Sequence, residues 1–212
     1  MKLPALQNKT VAVVGCGGLG TNVIAHLAGE GVGTLKFCDF DTVSQSNLDR
    51  QFLYRQSDVG KKKTDLIAAF LRSYAPDVKC VPVDKKIEVP LDLAFAEDAD
   101  LLFLCADNNA VRKTAEVFCK THSVPLLSGG VSGHYGVVYL YIPGKSPSLT
   151  EAGLLDAETG NIVSVSSAVG IIGALAAEIG SLYLETRDAG LSGTLYVYDR
   201  GEIKPLPIKK RS

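Results

Sequence analysis

At 212 residues, 46% of them apolar and 21% charged, the chain holds enough material for one buried core with a small addition, so a single domain over 1–212 is expected. A formal net charge of −1 gives no cationic surplus to draw it onto nucleic acid or an anionic membrane, and both partners are set aside. The five cysteines, Cys16, Cys38, Cys80, Cys105 and Cys119, include no C-x-x-C pair. That pattern excludes a structural zinc knuckle and a disulfide framework, and it reads as buried thiols in a reducing compartment. The opening "MKLPALQNKT" has no apolar signal core, so a cytoplasmic protein is expected.

In chain order, "TVAVVG" (10–15) reads as a strand, Leu19 to Glu30 as a helix and "TLKFCD" (34–39) as a second strand. Lys61 to Tyr74 has helical spacing, and "VKCVPV" (78–83) and "LLFLCA" (101–106) are further strands. Asn109 to Lys120 is helical, and "VPLLSGG" (124–130) closes this series. Several of these strands lack an apolar and polar alternation, so they are expected to be buried on both faces, as parallel strands are. The alternation predicts an α/β fold: a Rossmann-like, doubly wound, mostly parallel sheet. After Gly133 the pattern changes, and "GVVYLYIPG" (136–144) and "GTLYVYD" (193–199), the latter closing the chain, read as antiparallel strands added in the C-terminal part. Between them, Ile162 to Leu184 carries Glu178 as its one charge and approaches the length of a membrane span. Its serines and glycines instead suit a helix packed tightly against protein.

Gly15, Gly17 and Gly20 form G-x-G-x-x-G directly after a strand and at the start of a helix, with Gly18 inside the loop. Small residues there let the backbone approach phosphate, and the helix N-terminus supplies partial positive charge. Asp39 lies nineteen residues beyond Gly20, where a carboxylate accepts hydrogen bonds from ribose hydroxyls. The pattern points to an adenine nucleotide, against the alternative of a ligand-free tight turn. "DFDTVSQSNLDRQF" (39–52) then places Asp41, Asn47, Arg50 and Gln51 in one turn-rich segment beside the expected ribose, where a nicotinamide enzyme has no use for them. "VGKKKTD" (59–65) brings three lysines, and "ADNNAVR" (106–112) sets Asp107 and Asn108 just past the fourth strand. Asp107 suits a cation, or else caps the following helix. Arg50 and one lysine suit phosphate oxygens. Such a set fits nucleotidyl transfer, where catalysis is mostly charge neutralisation and positioning. His26 reads as a packing residue of the first helix, and His122 and His134 as loop residues.

The ordered motifs GCGGLG, DFDTVSQSNLDRQ, VGKKK and CADN, spread over roughly residues 5 to 185, resemble those of the ThiF, MoeB and HesA family, relatives of the ubiquitin-activating enzymes. The resemblance implies ATP-dependent adenylation of a carboxylate, usually the C-terminal glycine of a ubiquitin-like sulfur carrier. It implies that Asp39 holds the ribose, that Asn47, Arg50 and Gln51 contact the phosphates, that Lys63 reaches the phosphate chain, and that Asp107 binds Mg2+. Lys63 takes the family position thirteen residues after Arg50, which leaves Lys61 and Lys62 to solvent. The chemistry suits these residues, because a carboxylate is already ionised at neutral pH and needs no general base. What must be overcome is repulsion between the two anions, and Arg50, Lys63 and a metal at Asp107 suit that task.

The chain also departs from the family pattern. Leu149 stands before the E-A-G of "PSLTEAGLLD", where sulfur-transferring members often place a cysteine, so a thioester or persulfide step loses its nucleophile. The first arginine is Arg50, so an N-terminal arginine reaching into a partner subunit is missing or replaced by Lys2 or Lys9. A homodimer is expected, formed by the apolar and glycine-bearing helix around Ser166 to Tyr183 with neighbouring strands. Adenylation of a small-molecule carboxylate, nicotinamide-dependent oxidoreduction and nucleotide binding without turnover remain as alternatives.

Overall fold

The computed structural model describes residues 2–155 and 164–208. Its eight strands form one sheet in the order β3-β2-β1-β4-β5-β6-β7-β8. The parallel half comprises β1 (Thr10–Val14), β2 (Thr34–Cys38), β3 (Lys79–Val83), β4 (Leu101–Leu104) and β5 (Leu126–Ser132). The antiparallel half comprises β6 (Tyr135–Tyr141), β7 (Thr194–Asp199) and β8 (Glu202–Pro207). The expected doubly wound, mostly parallel sheet with antiparallel C-terminal strands is therefore present.

The helices are α1 (Gly18–Glu30), α2 (Lys63–Tyr74), α3 (Asn109–His122) and α4 (Ser166–Thr186). One core, around Ile24, Leu35, Phe37, Ile67 and Phe103, lies between the sheet and α1, α2 and α4. The other, around Leu93, Leu102, Phe118 and Tyr139, lies beneath α3 and a 3-10 stretch from Pro90 to Ala96. Successive residues of β1 and β4 feed opposite cores: Val11 and Val13 one, Ala12 and Val14 the other. This accounts for their unbroken apolar runs.

Four expectations need correction. β3 is an edge strand with two exposed and three half-buried residues, and not a strand buried on both faces; it carries Pro82, which an edge tolerates. β7 does not close the chain, because β8 pairs along its whole length and holds Pro205 and Pro207, residues that argue against a strand in sequence. His26 is exposed on α1 and does not pack in the core. His122 is the last residue of α3, stacked on Phe118 with ring centroids 4.5 Å apart, and not a loop residue.

α4 is the one helix among the described residues long and apolar enough to cross a membrane, and 61% of that window is buried inside the molecule. Residues 162 and 163 of the expected helix lie outside the described residues. Its glycines serve the monomer. A Cβ at Gly173 falls 2.4 Å from Asn22 Cβ of α1, and one at Gly180 falls 2.2 Å from the Phe103 ring of β4. What α4 leaves outside is a narrow stripe through Ser167, Ile171, Glu178 and Leu182, not apolar surface on every face.

Candidate active site

β1 and β4 are sheet neighbours whose chain connections run in opposite directions, so a crevice opens beyond their carboxyl ends. The first loop enters it at Gly15, whose φ of +94° favours glycine; a Cβ there meets Cys105 O at 2.9 Å. At Gly20 a Cβ falls 1.8 Å from Gly15 O, so any side chain disrupts the loop. Gly17 is the N-cap of α1 and makes no side-chain cap bond, which leaves the helix N-terminus facing the crevice. Beneath the loop the buried Tyr54 hydroxyl donates to Cys16 O at 2.7 Å and pins it.

Asp39 follows β2 with both oxygens engaged: Oδ2 accepts from Cys16 N–H at 2.6 Å and Oδ1 from Asp41 N–H at 2.9 Å. The carboxylate is thereby fixed, with lone pairs left to accept further hydrogen bonds. The polar segment after it is zipped to the next helix, since Val43 N–H donates to Lys61 O at 2.9 Å and Lys63 N–H to Asp41 O at 3.2 Å. This orders the three lysines. Lys61 is exposed, Lys62 reaches Phe40 O and Asp84, and Lys63 is 4% exposed with Nζ 3.2 Å from Asp41 Oδ2. Asn47 side-chain oxygen accepts from Ser44 N–H, and Arg50 Nη1 donates to Ser46 O and Asp49 Oδ1. Gln51 is 5% exposed, and its Oε1 is the buried side-chain atom without a hydrogen-bond partner among the described residues. Gln51 nevertheless lines the crevice, with its Nε2 lying 3.5 Å from where a Cβ would stand on Gly17.

Past β4, Asn108 caps α3, its Oδ1 accepting from Val111 N–H at 2.8 Å. The capping alternative for Asp107 is thus corrected: Asn108 performs that task and Asp107 stands exposed at the strand end. Asn108 uses its side-chain oxygen for this cap, and its Nδ2 makes no hydrogen bond among the described residues. Every candidate except Gly20, which lies behind the loop, borders one open cleft of about 1300 Å³. That exceeds the usual span of a single small-ligand pocket and leaves room for a second substrate.

Two residues carried no sequence signal of a role here. Tyr54 follows the polar segment, and its reach to the glycine loop is a long-range contact. Arg112 sits in the first turn of α3 and crosses to β5, donating to Ser128 Oγ at 2.9 Å and Gly129 O at 2.7 Å.

The three cysteines lining or underlying the cleft, Cys16, Cys38 and Cys105, are poor nucleophiles. Burial pushes the Cys16 thiol well above its ordinary value, with nearby Asp39 adding to it, and raises Cys105 to about 12 and Cys38 to about 12. Leu149 is fully buried. Lys2 and Lys9 lie at the opposite ends of the parallel strands, near Asp77 at 2.6 Å and Asp100 at 4.0 Å, so neither serves its own cleft. Among the described residues no group of three His, Cys, Asp or Glu side chains is placed to hold a metal ion.

Residues 2–202 match the ThiF family. The chain is 34% identical over 203 residues to the molybdopterin-synthase adenylyltransferase of Escherichia coli (strain K12), covering 92% of this chain and 80% of that protein. It is 33% identical over 202 residues to the SAMP-activating enzyme E1 of Haloferax volcanii, covering 92% and 74%. Over 138 residues it is 31% identical to the sulfur carrier protein ThiS adenylyltransferase of Escherichia coli (strain K12), covering 65% and 55%. Its fold superposes on Escherichia coli MccB with ATP at a TM-score of 0.86 and 22% identity, covering 98% of this chain and 65% of that one. The chain thus spans slightly less than two thirds of that structure. With a family match over nearly its whole length and close relatives that it largely covers, the chain belongs to the ThiF family.

Proposed function

We propose that this protein uses ATP to adenylate a carboxylate, that of the C-terminal glycine of a ubiquitin-like sulfur-carrier protein, with release of pyrophosphate. The observation that carries this reading is the cleft itself: Asp39, the glycine loop, buried Lys63 and Asp107 border one space too large for a nucleotide alone. In the reaction a carboxylate oxygen bonds to the α-phosphorus, and the bond from that phosphorus to the pyrophosphate bridging oxygen breaks. Pyrophosphate carries the electron pair away, and no proton is transferred. The relatives named as adenylyltransferases of molybdopterin synthase and ThiS support a carrier protein as substrate.

Each residue has a task in this scheme. Asp39, fixed by two backbone donors, orients the ribose. The glycine loop and the N-terminus of α1 face the phosphates. Lys63 uses one donor on Asp41, and its remaining donors serve the triphosphate. Arg50 and Asn47 border the same region, and Gln51 supplies an amide. Asp107, together with phosphate oxygens and water, fits Mg2+, which is usually held by one or two carboxylates rather than by a protein cage. Bound there, the ion would offset charge on the triphosphate. We further propose a cytoplasmic homodimer that uses the exposed stripe of α4.

The test is ATP–pyrophosphate exchange with purified sulfur carriers ending in Gly-Gly. Exchange that requires both Mg2+ and the carrier's terminal glycine supports the reading. ATP binding without exchange, or turnover of a nicotinamide nucleotide, contradicts it.

A further inference from the structure

We propose that Arg112 binds the acyl carboxylate, and later the acyl carbonyl of the adenylate, so that the cleft is divided into a nucleotide half and an acyl half with Arg112 at the head of the second. The proposal rests on the adenylation reading above.

The sheet order supplies the first argument. Reading across the strand ends, Asp39 follows β2, the glycine loop follows β1, Asp107 follows β4, and the Arg112 guanidinium lies over β5. Neighbouring strands are about 4.8 Å apart, so Arg112 lies roughly 10 Å from the glycine-loop strand, on the side away from the ribose acid. Arg50 comes from the segment between β2 and α2, and Lys63 opens α2, on the other flank. Two sets of cations thus bracket the loop. One faces the triphosphate, and the other stands where a second anion enters.

Charge supplies the second. Arg112 touches a hydroxyl and a backbone carbonyl, and among the described residues it makes no ion pair. Burial pulls its pKa down from the ordinary guanidinium value, with Cys105 and Asp107 pulling it back up. A guanidinium nevertheless stays charged, and a desolvated charge is normally matched by an opposite one. Two of its donors are spent on β5, which fixes the planar fork; the others are free for a carboxylate. The need is real, since a carboxylate brought to about 4 Å from a phosphate charge is repelled by about 4 kcal/mol at an effective dielectric constant of 20.

Shape supplies the third. Beyond Arg112 the wall is the β5–β6 hairpin, where Gly130 has no side chain and a Cβ would lie 3.4 Å from both Arg112 Nη2 and Val137 Cγ2. Tyr135 and Val137 border the outlet. With no side chain at Gly130, the space beside the Arg112 fork stays open to an acyl end.

The experiment compares AMP with glycylglycyl-sulfamoyl adenosine, a stable adenylate analogue, by titration calorimetry on the wild-type chain and on Arg112→Gln and Arg112→Lys. Wild type is expected to favour the analogue by at least tenfold. In both variants AMP affinity stays within twofold, while the analogue's advantage falls at least tenfold for Gln and less for Lys. Equal weakening of both ligands would assign Arg112 to the phosphates, and an unchanged ratio would make it a strut between α3 and β5; either overturns the proposal. If Arg112→Gln does not fold, Arg112→Lys alone decides, because a strut that keeps its charge leaves the ratio unchanged. A wild type that favours AMP overturns the acyl half, and one that binds neither overturns the adenylation reading with it.

Discussion

Lys63→Met separates charge neutralisation from packing at the most buried cation of the cleft. Lys63 is 4% exposed, so methionine refills most of the volume without a cavity. The partner it abandons, Asp41, has a side chain 49% exposed and is readily rehydrated, so the lost pair costs about 1 kcal/mol or less. In a domain of this size that lowers the melting temperature by roughly 2–4 °C. The catalytic loss is far larger. A unit charge about 4 Å from a phosphate, at an effective dielectric constant near 20, contributes about 4 kcal/mol. Deleting one preorganised donor to a developing oxyanion typically costs about 2.7–4 kcal/mol. Both figures correspond to roughly 10²–10³ in kcat. Carrier-dependent ATP–pyrophosphate exchange and thermal melting, run on the same preparation, read the two quantities. Exchange within about threefold of wild type per folded molecule would show that the Lys63 charge does not serve the reaction, and a melting loss beyond roughly 8 °C would show that it is chiefly structural.

Asp107→Ala is expected to abolish Mg2+-dependent exchange with an unchanged melting temperature. Asn108→Ala, by contrast, loses the α3 cap and about 1 kcal/mol in denaturant unfolding; reversed effects would return the cap to Asp107. Changing all five cysteines to serine or alanine should leave exchange intact. Native protein at pH 8 should react slowly with iodoacetamide at Cys16, Cys38, Cys105 and Cys119, whose thiols burial raises; fast inactivation traced by peptide mapping to Cys16 or Cys105 would contradict this. Glu30 accepts a hydrogen bond from Ser181 Oγ, and burial raises its carboxyl above the ordinary value, so the folded state holds this proton more readily than the unfolded one. Its contribution is greatest below the ordinary carboxylate pKa and is lost as pH rises through the raised value. Glu30→Gln should therefore flatten the fall in melting temperature between the acid range and neutrality, and an unaltered slope would count against it.

The parallel half of the fold was legible because β1 and β4 feed two cores at once and so read as unbroken apolar runs followed by glycine or acid. β8 was not, since Glu202, Lys204, Pro205 and Pro207 carry no strand pattern and only pairing with β7 makes it one. The helix boundary beside Asp107 was ambiguous because Asp and Asn both suit an N-cap, and only the bond to Val111 N–H separates them. Among three consecutive lysines, only tertiary burial distinguishes Lys63 physically. Arg112 lay open to view in the first turn of a helix, yet its partners Ser128 and Gly129 are sixteen and seventeen residues away, and no local period encodes that contact. The glycines of α4 illustrate the converse: they looked like material for a second subunit, whereas Gly173 and Gly180 seat the helix on α1 and β4 of its own chain.

Adenylation in this cleft requires a carboxylate oxygen to attack the α-phosphorus of ATP. A Gly-Gly-ended carrier whose terminal carboxylate is labelled with heavy oxygen, incubated with the protein, Mg2+ and ATP and then quenched with hydroxylamine, tests it by mass spectrometry of the released AMP. AMP carrying one heavy oxygen from the carboxylate is expected, together with carrier hydroxamate. Unlabelled AMP, or ADP with unmodified carrier, would contradict it.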